Sequence, residues 1–227
     1  MPLFSILDLV ALAWFLCAWA AYSVALSSTE RTKHGLNSEM NRHRLNWMRQ
    51  MAGRETRMVD TQIVAALQNG TAFFASTSLI AVGGALTLVR ATGETLEVVA
   101  ALPFGVKSTP VQWEAKSIGL AVILVYAFFK FAWSYRLYNY VAILVGATPP
   151  ASEKDTPAAK AHVERVGALC EVAGRHFNRG QRAFFFALGY LGWFISPWLL
   201  MITSIAVAAV LWRRQFSSDS RRALISE

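Results

Sequence analysis

The chain has 227 residues, of which 55% are hydrophobic and only 16% are charged, and its formal net charge is +8. The apolar residues form long blocks, a pattern that favours membrane spans over a soluble core. The basic residues lie between these blocks, which fits topology signals and anionic lipid headgroups and argues against a nucleic-acid-binding protein.

The first apolar block, residues 3–26, predicts a membrane span. No Lys or Arg precedes it, so it lacks the positive amino-terminal region of a secretory signal peptide, and we interpret it as a retained anchor. Asp8 lies near its start, where a carboxylate can reach water.

Residues 27–62 form a polar segment with seven Lys or Arg, which we expect to be cytoplasmic. Within it, apolar residues recur at helical spacing and form a methionine stripe: Met40, Trp47, Met48, Met51 and Met58. We expect this stripe to cover the end of the helix bundle where it leaves the membrane. A helix lying flat on the membrane surface and a partner-binding groove are the alternatives.

Residues 63–89 predict the second span. Small or polar residues recur along it at helical spacing: Asn69, Ala72, Ser76, Gly83 and Thr87. Such a strip lets helices approach closely in lipid, so we expect it to pack against another helix. The alternative is that Asn69 and Ser76 line a polar path. An irregular connection follows, in which residues 94–102 can form a short helix.

The third span is predicted over residues 115–137, with its helix continuing to 145, and it carries Lys130 and Arg136 among aromatic residues. A crossing that starts near Lys116 places Arg136 about 30 Å further on, at the opposite interface, and lets Lys130 snorkel outwards. A crossing centred on the whole apolar run instead places Lys130 near mid-membrane, where it needs a partner or a water-filled cavity. Arg136 can stack on aromatic neighbours or simply anchor an interfacial aromatic belt.

Residues 147–181 form a second segment that we expect to be cytoplasmic. Thr156 and Pro157 are a helix cap and first-turn pair, and the helix that they begin has an apolar stripe from Val163 to Phe177. The stretch 138–145 is too apolar to stand bare in water, so we expect the two segments to cover it. Residues 182–212 predict the last span, kinked at Pro197. A re-entrant hairpin is the alternative.

The distribution of charge predicts the orientation. Residues 27–62 hold seven Lys or Arg and residues 148–182 hold six, whereas residues 90–116 hold three. The positive-inside rule then places the two long segments in the cytoplasm and, with four crossings, both termini outside. The four arginines of the tail conflict with that placement, and a re-entrant last segment would remove the conflict.

No pattern in the sequence fixes a reaction. The four histidines lack the spacing of a helical metal site, and there is no phosphate-binding glycine loop or nucleophile elbow. We therefore predict no catalytic residue, metal or cofactor. The candidate polar cluster comprises residues near the ends of the second and third spans: Arg54, Arg57, Asp60, Asn69, Ser76, Lys130 and Arg136. An Asp60–Arg136 pair is expected as a structural clasp, with a transport site as the alternative.

Several stretches carry a resemblance to a known family: residues 41–48, 54–60, 73–77, 128–140, 146–150 and 178–194. On these stretches the chain resembles a family of bacterial and plant integral membrane proteins catalogued as domain of unknown function 599. The resemblance implies a multi-span membrane protein and no established activity.

We therefore predict an all-α, single-domain integral membrane protein of the bacterial inner membrane, a four-helix bundle with cytoplasmic amphipathic helical segments. An oligomeric scaffold or accessory protein is the preferred function. A channel or transporter with a polar pathway near Lys130 is the alternative, and an enzyme acting on lipids ranks last. The expected partners are anionic lipid headgroups, further copies of the chain and another membrane protein, but not nucleic acid.

Overall fold

The computed structural model describes residues 3–28, 35–90, 93–103 and 105–225, and none of these residues lies in a β-strand. The helices, in chain order, are α1 Ile6–Ser28, α2 Leu36–Ala52, α3 Met58–Leu88, α4 Gly93–Ala100, α5 Pro110–Gly146, α6 Pro157–Tyr190, α7 Gly192–Ile195, α8 Pro197–Phe216 and α9 Asp219–Ile225. Four helical segments are long and apolar enough to cross a membrane: Ile6–Leu26, α3, α5 and α8. The predicted all-α class and the presence of four apolar helices of membrane length are confirmed for the described residues, although the fourth begins at Pro197 and not near residue 182. Arg31, Lys33 and His34 of the first basic segment lie outside the described residues.

Helix α5 is the centre of the bundle and packs between α3 and α6. It begins with a capping box, in which the Thr109 hydroxyl accepts from the Gln112 backbone N–H and the Gln112 side chain accepts from the Thr109 N–H. With 37 residues it is about 55 Å long, well beyond the thickness of a hydrocarbon core. One end of α5 therefore has to lie outside the membrane.

Two other helices cover that overhanging end. Tyr138, Val141 and Val145 of α5 are buried in one apolar cluster with residues of α2 and α6. Met48 and Met51 of α2 are fully buried in this cluster. Part of the predicted cover is therefore present: Met48, Met51 and Trp47 of the methionine stripe pack here with the α6 stripe, whereas Met40 and Met58 are exposed. We call this end of the bundle the α2 end and the opposite end, which carries α4, the α4 end.

Helices α6 and α8 form an antiparallel hairpin, which differs from the single kinked crossing predicted over residues 182–212. Helix α6 runs without interruption to Tyr190, and Pro197 is the first residue of α8. Ser196 has an extended backbone, as the residue before a proline usually does, and its hydroxyl caps α8 by accepting from the Leu199 N–H at 3.2 Å. Proline is favoured at a first helical position, so here it starts a helix and does not kink one.

The hairpin reaches across the bundle to the α4 end. At its turn the Ile195 carbonyl accepts from the Val106 N–H at 3.0 Å, close to the start of α5. At its other end Gly180 packs so closely on Phe131 that an added Cβ would lie 2.9 Å from the ring. Phe131 lies about 22 Å along α5 from Lys116, so the second part of α6 crosses most of the depth of the bundle. Helix α8 then returns, and the tail lies at the α2 end.

Candidate functional site

Asp60 is the most deeply buried residue of the predicted cluster. It is 0% exposed, and one of its oxygens, Oδ1, accepts from Trp47 Nε1 at 2.7 Å and from Arg54 Nη1 at 2.5 Å. Trp47 lies on α2 and Arg54 on the link to α3, so the carboxylate ties α2 to the first turn of α3. The other oxygen, Oδ2, is buried without a hydrogen-bond partner.

Arg57 fastens the connection that follows α5. Its guanidinium donates to the Thr148 carbonyl at 2.7 Å and also to the Pro149 carbonyl. Both acceptors lie just beyond Ala147, the C-cap residue of α5, so Arg57 ties the start of α3 to the connection that leaves α5. Among the described residues both of these partners are backbone carbonyls, so the contact is structural.

The expected Asp60–Arg136 pair does not form. Arg136 is exposed, donates from Nε to the Tyr140 hydroxyl at 2.7 Å, and lies over the rings of Trp133 and Tyr140. Arg136 thus takes the predicted aromatic contacts, because it shares a helix face with both rings, whereas Asp60 faces α2. The two residues belong to separate parts of the surface.

Lys130 is half-buried, with its Nζ 5.0 Å from the centroid of the Tyr126 ring. Tyr126 lies beside Leu26 and Gln215, near the ends of the apolar helices α1 and α8. Lys130 is therefore at the depth where two membrane-length helices end, which agrees with the interfacial alternative for this residue.

Asn69 and Ser76 lie on the outer face of α3. Both are exposed, as are Gly83 and Thr87 of the same predicted strip. The buried face of α3 carries a different set of residues: Asp60, Val64, Thr71, Ala75, Ser78 and Ala85. Among the described residues, α5 contacts the opposite side of α3, so the expected packing of this strip would need a partner outside the chain.

A buried ion pair at the α4 end was not predicted. The side chain of Lys116 is 5% exposed, and its Nζ donates to the Trp193 carbonyl at 2.9 Å and lies 4.0 Å from Asp8 Oδ1. The same Asp8 oxygen accepts from Trp193 Nε1 at 2.9 Å. These contacts join α1, α5 and the hairpin turn. Nothing in the linear sequence brings Trp193 to Asp8.

A cavity with a volume of about 680 Å³ lies at the α2 end. One face of α6 forms a wall, where four polar residues follow helical spacing: Arg175, Asn178, Arg179 and Arg182. The end of α1, the start of α2, Tyr126 of α5 and the end of α8 complete the lining. We call this space the arginine cavity. A second cavity of about 180 Å³ shares Arg182 and Asn178 with it and adds Arg214.

The arginine cavity is strongly positive. Arg175 is paired with Glu171, but no Asp or Glu is among the residues that line the cavity in the described part of the chain. His176 follows Arg175 on α6, and burial together with the nearby charges of Lys130, Arg179 and Arg175 lowers the pKa of its imidazole. The arrangement can therefore hold an anion, and it disfavours a further cation.

Metal-binding groups and cysteines were the other features of interest in the described residues. No group of three or more His, Cys, Asp or Glu side chains within them could hold a metal ion. Cys170 is buried in the cluster under α2, and burial raises the pKa of its thiol to about 11, so it stays protonated at neutral pH. Neither observation indicates a nucleophile or a cofactor.

Comparison with family models shows which family the chain belongs to. The model of a family described as "Protein of unknown function, DUF599" matches residues 10–220, nearly the whole chain. No curated protein and no solved structure gives a significant match.

Proposed function

Because the chain belongs to the DUF599 family of proteins of unknown function, we propose its function from the distribution of its charges and faces. It is an integral protein of the bacterial inner membrane that acts as an oligomeric scaffold or accessory subunit. Its basic α2 end lies in the cytoplasm against anionic headgroups.

The α6–α8 hairpin is the main support for the proposed orientation in the membrane. With α8 returning to the α2 end, Arg213 and Arg214 lie on the same side as the basic helices α2 and α6. The α4 end carries Arg90, Lys107 and Lys116, and the last of these is next to Asp8. The positive-inside rule then places the α2 end and the carboxyl terminus in the cytoplasm and Asp8 on the outer side. This replaces the expectation that both termini lie outside.

Reporter fusions in a bacterial host test the orientation. A green fluorescent protein joined after Glu227 is expected to fluoresce, and an alkaline phosphatase joined there is expected to be inactive. A phosphatase joined at the Gly105–Lys107 connection serves as the matched control and is expected to be active. Phosphatase activity at the carboxyl terminus would contradict the orientation, and with it the hairpin as a membrane-embedded unit.

The outer face of α3 supports an oligomer. Its exposed polar and small residues, Asn69, Ser76 and Gly83, lie beside exposed Phe73 and Ile80 within a helix of membrane length. An added Cβ at Gly83 meets no atom of this chain within 4 Å. In lipid, where apolar surface alone does not drive association, small and polar residues mark the faces at which helices meet. A second copy of the chain is the proposed partner of this face.

Gly83→Leu tests the oligomer. The protein in nanodiscs or mild detergent is expected to be larger than a monomer by mass photometry, and Gly83→Leu is expected to shift it towards the monomer. Ala20→Leu, at an exposed position of α1, is the control and is expected to leave the mass unchanged. A monomeric wild-type protein, or equal effects of the two substitutions, would contradict the proposal.

The channel alternative has less support. Lys130 contacts Tyr126, and Trp19 packs against both Tyr126 and Phe186, so aromatic side chains fill the space between the arginine cavity and the α4 end. We expect liposomes that contain the protein to show the same ion flux as empty liposomes, and Lys130→Met to change nothing. A flux that is lost in Lys130→Met would favour the channel over the scaffold.

A further inference from the structure

We propose that the arginine cavity binds the phosphate-bearing headgroup of an anionic membrane lipid. This rests on the proposed contact of the α2 end with a membrane surface and adds to it one defined site. The site is the wall of α6 between Arg175 and Arg182, facing the ends of α1 and α8 and the first turn of α2.

The α6 wall carries positive charge that a bound anion would balance. Arg179 and Arg182 form no hydrogen bond or ion pair with any side chain or carbonyl in the parts of the chain that the structure describes, whereas Arg175 is held by Glu171. Arg182 is half-buried beside Tyr22 and Tyr126, so water solvates its charge only in part. A guanidinium presents a planar fork of donors that matches phosphate oxygens, which makes a phosphate the anion of choice.

The remaining lining suits the oxygen atoms of a phosphate and its substituent. Asn37 and Ser38 lie in the first turn of α2, a helix of 17 residues whose N-cap, Gly35, supplies no side-chain cap. The Ser38 and Glu39 N–H groups donate to the Gly35 carbonyl, so the N–H groups of Leu36 and Asn37 are the ones that an anion at this helix end would meet. Asn178 and Gln215 add amide donors from α6 and α8. The only acid in that turn, Glu39, is next to Arg42 at 2.5 Å and does not line the cavity.

The position of the cavity favours a lipid over a soluble phosphate. Val24 of α1 and Tyr126 of α5 line it, are exposed, and belong to helices of membrane length. Leu26 and Gln215 lie at the ends of α1 and α8, the depth at which headgroups meet the hydrocarbon core. A phosphate in the cavity can therefore stay joined to acyl chains that lie along α1 and α5. A volume of about 680 Å³ is in the range of small-molecule sites and accommodates a headgroup.

The test uses the purified full-length protein and native mass spectrometry. Phosphatidylglycerol and phosphatidylcholine with identical acyl chains are added in equal amounts. The wild-type protein is expected to retain phosphatidylglycerol at least tenfold better. Arg179→Gln/Arg182→Gln is expected to reduce that preference to less than twofold. Arg165→Gln/Arg213→Gln removes the same charge from exposed positions outside the cavity and is expected to keep the preference.

The outcomes separate the cavity from general charge attraction. Equal losses in the two double variants would overturn the cavity site and leave attraction of the whole α2 end to anionic lipid standing. No preference in the wild-type protein would overturn both. If inorganic phosphate at a few millimolar displaces the lipid, the cavity takes free phosphate, and the lipid assignment is overturned. Arg179→Gln alone, at an exposed position, keeps the test decisive if the double variant misfolds: an unchanged preference there would overturn the proposal.

Discussion

Replacing Asp60 tests how the α2 end is held together. The carboxylate is fully buried and joins Trp47 of α2 to Arg54 of the following link. Asp60→Ala removes both contacts, whereas Asp60→Asn keeps a neutral acceptor for Trp47 and removes the ion pair. We therefore expect both variants to loosen α2, and Asp60→Ala to do so more strongly.

The size of the effect follows from the two contacts. A hydrogen bond to a charged acceptor stabilises by about 1.5–3 kcal/mol, which applies to the bond from Trp47. The side chain of Arg54 is 43% exposed, so its ion pair contributes about 1 kcal/mol or less. Oδ2 has no hydrogen-bond partner, and the desolvation of that oxygen offsets part of the gain. The net cost of Asp60→Ala is thus about 2–3 kcal/mol, and that of Asp60→Asn is about 1 kcal/mol.

Hydrogen–deuterium exchange of peptides from α2 measures the local stability that α2 loses in these variants. A local loss of about 2–3 kcal/mol raises the exchange rate about 30- to 150-fold if α2 exchanges by local opening. Asp219→Ala, at a carboxylate that is 98% exposed beside Arg222, is the control and should leave every helix of the bundle unchanged. Exchange in α2 that is no faster in Asp60→Ala than in the control would refute this account of the contact.

Three further predictions concern other parts of the bundle. Asp8→Asn leaves buried Lys116 without its counter-charge and should cost about 3–5 kcal/mol, most of which Asp8→Asn/Lys116→Met should restore. Gly180→Ala should cost about 1–3 kcal/mol by overlap with a neighbouring ring, whereas Gly70→Ala meets nothing within 4 Å and should not destabilise. The pKa of His176 is below its ordinary 6.5 in the folded protein, so its contribution to stability is complete above pH 6.5 and is lost as the pH falls towards the folded value.

Each of these has a measurement and a contrary result. Thermal unfolding in detergent ranks the stabilities of these variants. If the double variant at Asp8 and Lys116 is no more stable than Asp8→Asn, an unpaired Lys116 is not the cause of the lost stability. Equal stabilities of the two glycine variants would contradict the close packing at Gly180. Proton-detected NMR of the His176 ring gives its pKa directly, and a value above 6.5 would reverse the sign of the pH effect.

The sequence was sufficient to place the apolar spans because bilayer thickness sets the length of a crossing helix. It also placed the start of α6, since Thr156 and Pro157 are a cap and a first-turn proline. The same signal, a hydroxyl residue before a proline, occurs at Ser196 and Pro197, where it was interpreted as a kink. The capping signal is present at Ser196 and Pro197, but the long apolar run around it fits a single crossing equally well. The length of an apolar run does not distinguish one kinked helix from a short hairpin.

The candidate cluster was less predictable, for a geometric reason. Sequence spacing gives the depth of a residue along a helix, and on that basis Asp60 and Arg136 were placed together. It does not give the direction in which the helix face points, and here Asp60 faces Trp47 while Arg136 faces Tyr140. Ser76 shows the same ambiguity, because the sequence pattern of a small and polar strip is the same whether the strip packs inside the bundle or against another copy of the chain.

The hairpin links the orientation to the arginine cavity. The spacing of Arg175, Arg179 and Arg182 is that of an ordinary solvated helix face, and it becomes a cavity wall only because α8 returns and brings Gln215 beside it. The return is fixed in part by Thr203, whose hydroxyl donates to the Gly189 carbonyl at 2.7 Å. A chain whose carboxyl terminus left on the α4 side would have to open this hairpin, and it would lose one wall of the cavity. The reporter fusions and the lipid measurements therefore bear on one structural feature, although each can fail without the other.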